Sequence, residues 1–143
     1  VELEDGTIAS AALDMKIKLW DVQKGECIKT FKGHEEQIKS MIQLKDGRLA
    51  SCSTDKTIKI WNLNGTCENT FKGHLSAVSS VIQLRDGRIA SCSRDKTIRV
   101  WDLSGTCVQI LQWCAVLWCI KELKSGELVS GLDDGTILIW SKV

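Results

Sequence analysis

Three residues whose types can do chemistry together lie close in the sequence: His34, Ser51 and Asp55. In many hydrolases a serine attacks the substrate, a histidine takes its proton and an aspartate orients the histidine. Such a triad needs one nucleophile in one site. The first question is therefore whether this set occurs once in the chain.

The set is not unique, because it returns as His74, Ser91 and Asp95. Residues 31–70 and 71–110 are identical at 24 of 40 aligned positions, which indicates an internal duplication. An enzyme of this size needs one active site, not one in every repeat. Tryptophan also recurs, at intervals of 41, 40 and 39 residues. These tryptophans are Trp20, Trp61, Trp101 and Trp140.

One repeat predicts four short strands joined by tight turns. Its apolar and β-branched segments are separated by turn signals such as Asp46-Gly47, a strong hairpin signal. In the third strand, Ile58 and Ile60 point to one side and Trp61 to the other, so this strand must lie between two layers. The predicted strands of the second repeat are 37–44, 48–53, 57–62 and 66–71.

The repeat resembles the WD-repeat family of β-propellers. The resemblance rests on Gly-His, then about 20 residues, then S-x-S-x-D-x-T-I-x-[IV]-W-[DN], and it covers essentially the whole chain. It implies an all-β fold of four-stranded antiparallel blades, with about three and a half to four blades in this chain. We expect one propeller segment, 1–143, whose repeat units are roughly 1–30, 31–70, 71–110 and 111–143.

The resemblance also implies a structural role for the triad-like residues. In this family the aspartate orients the histidine, the histidine bonds the serine, and the serine engages the indole N–H of the tryptophan. The chain of bonds satisfies buried polar groups and is not catalytic. The two predicted structural tetrads are His34, Ser51, Asp55 and Trp61, and His74, Ser91, Asp95 and Trp101.

The fourth repeat departs from the pattern. Where Phe-Lys-Gly-His should stand, residues 111–119 read LQWCAVLWC, so the histidine is replaced and Trp113 and Trp118 appear. One interpretation is a degenerate blade whose extra indoles fill the vacated space, and the other is an exposed aromatic hot spot for a partner. The repeat alignment also predicts only a stub of the first inner strand and no outer strand in the fourth repeat.

The resemblance implies a non-catalytic scaffold that binds a protein or a peptide on one loop face. Positions on that face vary between repeats while the framework does not, although unconstrained loop residues would vary too. The alternative is a structural segment that closes or assembles a seven- or eight-bladed ring, with further blades of its parent chain or a second copy. The candidate partner-binding residues are Gln37, Lys39, Thr54, Ala77, Ser79, Arg94, Asp133 and Leu13.

Composition narrows the function further. The 19 basic and 18 acidic residues are interspersed, so no basic stripe predicts nucleic-acid binding, and no apolar run is long enough to span a membrane. The seven cysteines contain no CxxC pair, so we expect no metal, no cofactor and reduced thiols in the cytoplasm or nucleus. Five cysteines recur at equivalent repeat positions and are predicted to be small buried thiols: Cys27, Cys67, Cys107, Cys52 and Cys92.

Overall fold

Short β-branched segments between glycine-containing turns form the regular structure of this chain. The computed structural model describes residues 1–141, and within them every regular element is a strand. The strands are β1 (Ile8–Ala11), β2 (Lys16–Asp21), β3 (Glu26–Lys32), β4 (Ile38–Gln43), β5 (Leu49–Ser53), β6 (Ile58–Trp61), β7 (Cys67–Phe71), β8 (Val78–Gln83), β9 (Ile89–Ser93), β10 (Thr97–Trp101), β11 (Cys107–Gln112), β12 (Leu117–Glu122), β13 (Leu128–Leu132) and β14 (Ile137–Trp140).

The strands form four antiparallel sheets in chain order, which we call the first to the fourth blade. Strands β1 to β3 form the first blade, β4 to β7 the second, β8 to β11 the third and β12 to β14 the fourth. An isolated bridge between Glu2 and Ile8 extends the inner side of the first blade. The predicted all-β fold of propeller blades is confirmed, and each predicted strand of the second repeat lies within two residues of its observed bounds.

Tight turns close the first hairpin of each four-stranded blade. Gly47 has a φ of 87°, a conformation that glycine adopts without steric cost. Its N–H donates to the carbonyl of Leu44 at 2.9 Å, and the Asp46 carboxylate accepts from the Arg48 N–H at 3.1 Å. Gly87 repeats this turn in the third blade with a φ of 95°. The Asp-Gly signals therefore mark real hairpin turns.

Apolar contacts between successive blades hold the sheets together. On one side of β6, Ile58 and Ile60 belong to a buried cluster that includes Val78 and Val81 of the third blade. On its other side, Trp61 belongs to a cluster shared with the first blade. The prediction that the third strand of a blade is buried on both sides is thus confirmed for the second blade.

A β-bulge interrupts the first strand pair in the second, third and fourth blades. In the second blade, Ile38 pairs with Ser53 and Ser40 with Cys52, so Lys39 is the extra residue. Ser79 and Trp118 hold the same position in the next two blades. A bulge bends its strand and redirects the extra side chain. The three bulges therefore change the direction of three aligned side chains.

The cysteines divide according to whether a neighbouring blade covers them. Cys52 and Cys92 are buried as predicted, whereas Cys27 is exposed, so the prediction of a buried thiol is wrong there. Cys67 and Cys107, in the same repeat position as Cys27, are half-buried because they pack against the clusters shared with the preceding blade. No preceding blade covers Cys27 among residues 1–141.

Candidate functional site

The second blade brings its four predicted tetrad residues into one hydrogen-bonded chain. The Trp61 indole N–H donates to Ser51 Oγ at 2.8 Å, and Ser51 Oγ lies 2.8 Å from His34 Nε2. His34 Nδ1 lies 2.7 Å from Asp55 Oδ2, so a proton on Nδ1 leaves Nε2 free to accept from the serine. The chain links two strands, a turn and the loop before the blade.

The third blade repeats this geometry almost without change. Trp101 donates to Ser91 Oγ at 2.8 Å, Ser91 Oγ lies 2.8 Å from His74 Nε2, and His74 Nδ1 lies 2.8 Å from Asp95 Oδ2. The loop N–H of Leu75 also donates to Asp95 at 2.9 Å. The same atoms are therefore joined in both complete repeats.

Hydrogen bonding sets the charge state of the tetrad aspartates. Burial raises the pKa of Asp55, but hydrogen bonds from His34 and Thr57 outweigh it and hold that pKa well below its usual range. Asp95 shows the same lowered pKa, with burial opposed by bonds from His74 and Thr97. Both aspartates are thus carboxylates at neutral pH.

The tetrad serines are sealed inside the protein. Ser51 has 0% of its surface exposed, and the His34 side chain that bonds it is equally enclosed. A nucleophilic serine must touch a substrate carbonyl, and this oxygen is already occupied by an indole N–H and an imidazole. The geometry is that of a satisfied buried network, not of an open catalytic triad.

In the first and fourth blades, residues 1–141 show the serine–tryptophan bond of the tetrad without the histidine link. Trp20 donates to Ser10 Oγ and Trp140 to Ser130 Oγ, each at 2.8 Å. In the fourth blade the ring of Trp113 lies edge-on to Trp140, with centroids 6.0 Å apart. His34 contacts Trp61 in a similar edge-on manner at 5.9 Å.

The two extra indoles of the fourth blade have different positions. Trp113 takes over the edge contact that a tetrad histidine makes in the complete blades, although the residue is 44% exposed. Trp118 is 46% exposed, and the Arg94 guanidinium carbon lies over its ring, 4.5 Å from the ring centroid. The interpretation in which both extra indoles fill vacated space is therefore wrong for Trp118, because its bulge turns it towards the third blade.

The bulge residues of three successive blades meet in one pocket. We call this site, of about 170 Å³, the bulge pocket. The Arg94 N–H donates to the Ala77 carbonyl at 2.9 Å, which fixes Arg94 beside the start of the neighbouring strand. The Ser79 hydroxyl oxygen is sealed and has no hydrogen-bond partner in the structure. The lining residues are Lys39, Ala77, Ser79, Arg94 and Trp118.

Four of the eight predicted partner-binding residues lie in the bulge pocket, and four lie outside it. Gln37 is next to it, since its side-chain oxygen accepts from Lys39 Nζ at 2.9 Å. Thr54 lies in the second blade with Lys39 but does not line the pocket, and its backbone N–H donates to the Gln37 carbonyl at 2.9 Å. Leu13 and Asp133 are exposed in the first and fourth blades and do not line it.

Sequence reasoning did not place Trp118 in the column of Lys39 and Ser79. The fourth repeat is one residue short before this strand, so spacing counted from its start misaligns the column. Alignment from the later Leu84 and Leu123 would have restored the match. No residue pattern in the sequence marks the bulge positions, which hold three different residue types.

A larger hollow of about 370 Å³ lies beside the tetrad of the second blade. Its charged lining is mixed, since Glu35 and Asp55 face it together with Lys56, Lys59 and Lys72. Lys59 Nζ also donates to Thr70 within the blade. This mixed lining favours neither an anionic nor a cationic ligand.

A second distinctive surface is the uncovered side of the fourth blade, formed by Val129, Gly131, Ile137 and Ile139, which we call the open face. Ile137 and Ile139 are 72% and 69% exposed. An apolar hollow of about 360 Å³ lies against it, lined in part by Val129, Gly131 and Ile137. Exposed apolar surface of this kind is typical of interaction sites.

Within residues 1–141, no cluster of three or more His, Cys, Asp or Glu side chains is arranged to hold a metal ion. No helix in the same range is long and apolar enough to cross a membrane.

Comparison with known proteins defines the class of this chain. The profile described as "WD domain, G-beta repeat" matches residues 25–62, 65–102 and 105–141. These matches span more than half of the sequence. The chain therefore belongs to the WD40 repeat family, and the predicted resemblance is confirmed.

Individual relatives agree with this class. The structure is similar to the crystal structure of the WD40 β-propeller domain of Doa1, with a TM-score of 0.89 and 31% identity over 96% of this chain and 47% of that one. A 42-residue stretch, 29% of this chain and 6% of the relative, is 40% identical to the probable E3 ubiquitin ligase complex SCF subunit sconB of Talaromyces stipitatus. The chain thus spans about half of the solved propeller and a small part of the curated relative.

Proposed function

We propose that this chain is a non-catalytic protein-interaction scaffold that binds a protein or peptide segment at the bulge pocket. The observation that carries the proposal is the convergence of Lys39, Ser79 and Trp118. They are bulge residues of three successive blades, and they differ in type although the surrounding framework is repeated. A repeated frame with different side chains at one face is suited to recognising an irregular partner.

The sealed tetrads support a scaffold over an enzyme. Their serines cannot reach a substrate, and their repetition assigns them to each blade's stability. The curated relative is named as a subunit of a ubiquitin ligase complex, a setting that requires contacts between proteins. For this chain, that likeness supports protein partners in general and leaves their identity to experiment.

Site-specific photo-crosslinking in the full-length parent protein tests the proposal. A photoreactive residue at Gln37, whose side chain lies next to Lys39 of the pocket, is compared with one at Lys24, an exposed position in a turn of the first blade. We expect a partner band with the probe at Gln37 and none at Lys24. Equal cross-linking at both positions, or no partner at Gln37, would contradict binding at the bulge pocket.

A second proposal is that the open face packs against another blade, so that this segment forms part of a larger ring. The supporting observation is that Ile58 and Ile98, which align with Ile137, are both 0% exposed against their next blades. Burial of apolar surface stabilises by roughly 25 cal/mol per Å². We favour further blades of the parent chain as the covering surface and keep a second copy as the alternative.

Sedimentation of residues 1–143 at micromolar concentration tests this second proposal. A discrete dimer would favour the second copy, whereas concentration-dependent association that disappears in the full-length parent would favour intramolecular closure. A stable, well-behaved monomer would contradict both, because the open face would then be stable in water.

We also propose that the protein works in a reducing compartment, the cytoplasm or the nucleus. The support is the set of seven free cysteines, of which Cys27, Cys114 and Cys119 are exposed. Fractionation of cells that express the tagged full-length parent would check this location. Recovery in a secreted fraction would contradict it.

A further inference from the structure

We propose that the bulge pocket binds a carboxylate, so that the partner presents an acidic side chain or a chain end to it. This inference rests on the proposed interaction function and adds the chemistry of the ligand. Its basis is the kind of polar group that lines the pocket. Those groups are rich in donors and positive charge, and none of the five lining residues is acidic.

The side chains of the bulge pocket can donate more hydrogen bonds than they can accept. Lys39 and Arg94 are donors only, and the Trp118 indole carries one N–H and no acceptor. The Ser79 hydroxyl oxygen is sealed from solvent and is not counted among these donors. The Ala77 carbonyl, a nearby acceptor, already accepts a hydrogen bond from the backbone N–H of Arg94. The complementary ligand is therefore an acceptor-only group, which describes an ionised carboxylate.

Arg94 is held in a pose that leaves its donors available. Its guanidinium carbon lies over the Trp118 ring, 4.5 Å from the centroid, and a cation–π contact of this kind uses none of the N–H bonds. The guanidinium fork can therefore take both oxygens of a carboxylate. No ion pair engages Arg94 or Lys39 within the described residues.

The size of the pocket favours one side chain over a larger molecule. Small-molecule sites usually occupy roughly 300 to 1,000 Å³, whereas the bulge pocket has about 170 Å³. Trp118 supplies an apolar wall for the methylene groups of the same residue. A glutamate or aspartate side chain, or a terminal carboxylate, matches both the charge and the space.

Selection from a phage library of random ten-residue peptides tests the inference. Clones are kept when they bind the immobilised wild-type protein and are not retained by a Lys39→Gln/Arg94→Gln double variant. This counter-selection removes peptides that adhere to the open face. Lys32→Gln, an exposed position on β3, is the matched control for a loss of positive charge. Thermal unfolding of each variant checks that it folds.

We expect the retained peptides to be enriched in Asp and Glu, and to bind Arg94→Gln about tenfold or more weakly than wild type and Lys32→Gln. Amidating the peptide C-terminus and replacing each acid by its amide will distinguish a chain end from a side chain. Enriched peptides without acids, or acids whose replacement has no effect, would overturn the carboxylate assignment and leave peptide binding intact. If no peptide distinguishes wild type from the double variant, both the assignment and the proposed function are contradicted.

Discussion

The second and fourth blades carry the same strand pattern but have different surroundings. In the second blade, Ile58 and Ile60 are packed against the third blade and are almost completely buried. Ile137 and Ile139 occupy the same repeat positions in the fourth blade and remain in water. Strand formation is therefore set by the local sequence, whereas burial is set by the next blade.

The polar networks of the second and fourth blades also differ. The second blade has the full chain from Asp55 through His34 and Ser51 to Trp61, whereas the described part of the fourth blade retains the bond from Trp140 to Ser130 alone. The serine–tryptophan bond thus forms without a histidine. The histidine and aspartate add the link between the blade and the loop before it.

The largest expected effect concerns the two aligned isoleucines. Ile58→Ala should lower the free energy of unfolding by about 2–5 kcal/mol, because it leaves a cavity between two blades. Ile137→Ala should change it by less than about 0.5 kcal/mol, since that side chain is exposed. Urea denaturation of both variants measures the difference. Equal costs at the two positions would mean that another surface covers the open face in solution.

A smaller effect is expected from the tetrad histidine. His34→Ala should cost about 1–3 kcal/mol, because it breaks a buried network and leaves Asp55 and Ser51 short of a partner. Cys114→Ala is the control, since Cys114 follows Trp113 in the segment that replaces Phe-Lys-Gly-His in the fourth repeat and is exposed. Chemical denaturation should show little change for the control. Wild-type stability of His34→Ala would contradict the structural role of the tetrad.

The sequence predicted the repeated framework well because that framework depends on local features. The Asp-Gly turns, the strand alternation and the serine–tryptophan spacing all lie within one repeat. The exposure of Cys27 and of Ile137 depends instead on the presence of a neighbouring blade, which no local pattern encodes. The position of Trp118 depends on a bulge, and a bulge shifts the register by one residue without a fixed residue type.

A third effect, of about 1 kcal/mol at neutral pH, is expected for Asp55→Asn, which removes charged hydrogen bonds of the tetrad. The pKa of Asp55 is lowered in the folded protein, so its contribution is fully present above its ordinary value near 3.8 and is lost as the pH falls below it. The difference in unfolding free energy between wild type and Asp55→Asn should therefore become smaller below about pH 4.

The matched control for this pH dependence is Asp134→Asn. Asp134 holds the aligned position in the fourth blade, where it is exposed, no histidine bonds it among residues 1–141, and its pKa is lowered mainly by hydrogen bonds from Thr136. Unfolding free energies are measured at pH 7 and pH 3. The change between the two pH values should be larger for Asp55→Asn than for Asp134→Asn. If the loss of unfolding free energy caused by Asp55→Asn were larger at pH 3 than at pH 7, the pH dependence would have the opposite sign. That result would contradict a carboxylate that is stabilised in the folded protein.

The smallest expected effect concerns cysteine reactivity and leaves stability unchanged. Reactivity reports directly whether a neighbouring blade covers each thiol. Cys52 lies between the second and third blades, and burial raises its pKa to about 12, so both access and thiolate formation are suppressed. Cys92 is buried in the same way against the fourth blade. Cys119, on the fourth blade, is exposed. With a maleimide under native conditions, mass spectrometry should find Cys119 labelled quickly and the two buried thiols labelled only after denaturant is added. Rapid labelling of Cys52 and Cys92 would mean that the blades separate in solution, and the contrast between covered and open blades would then be lost.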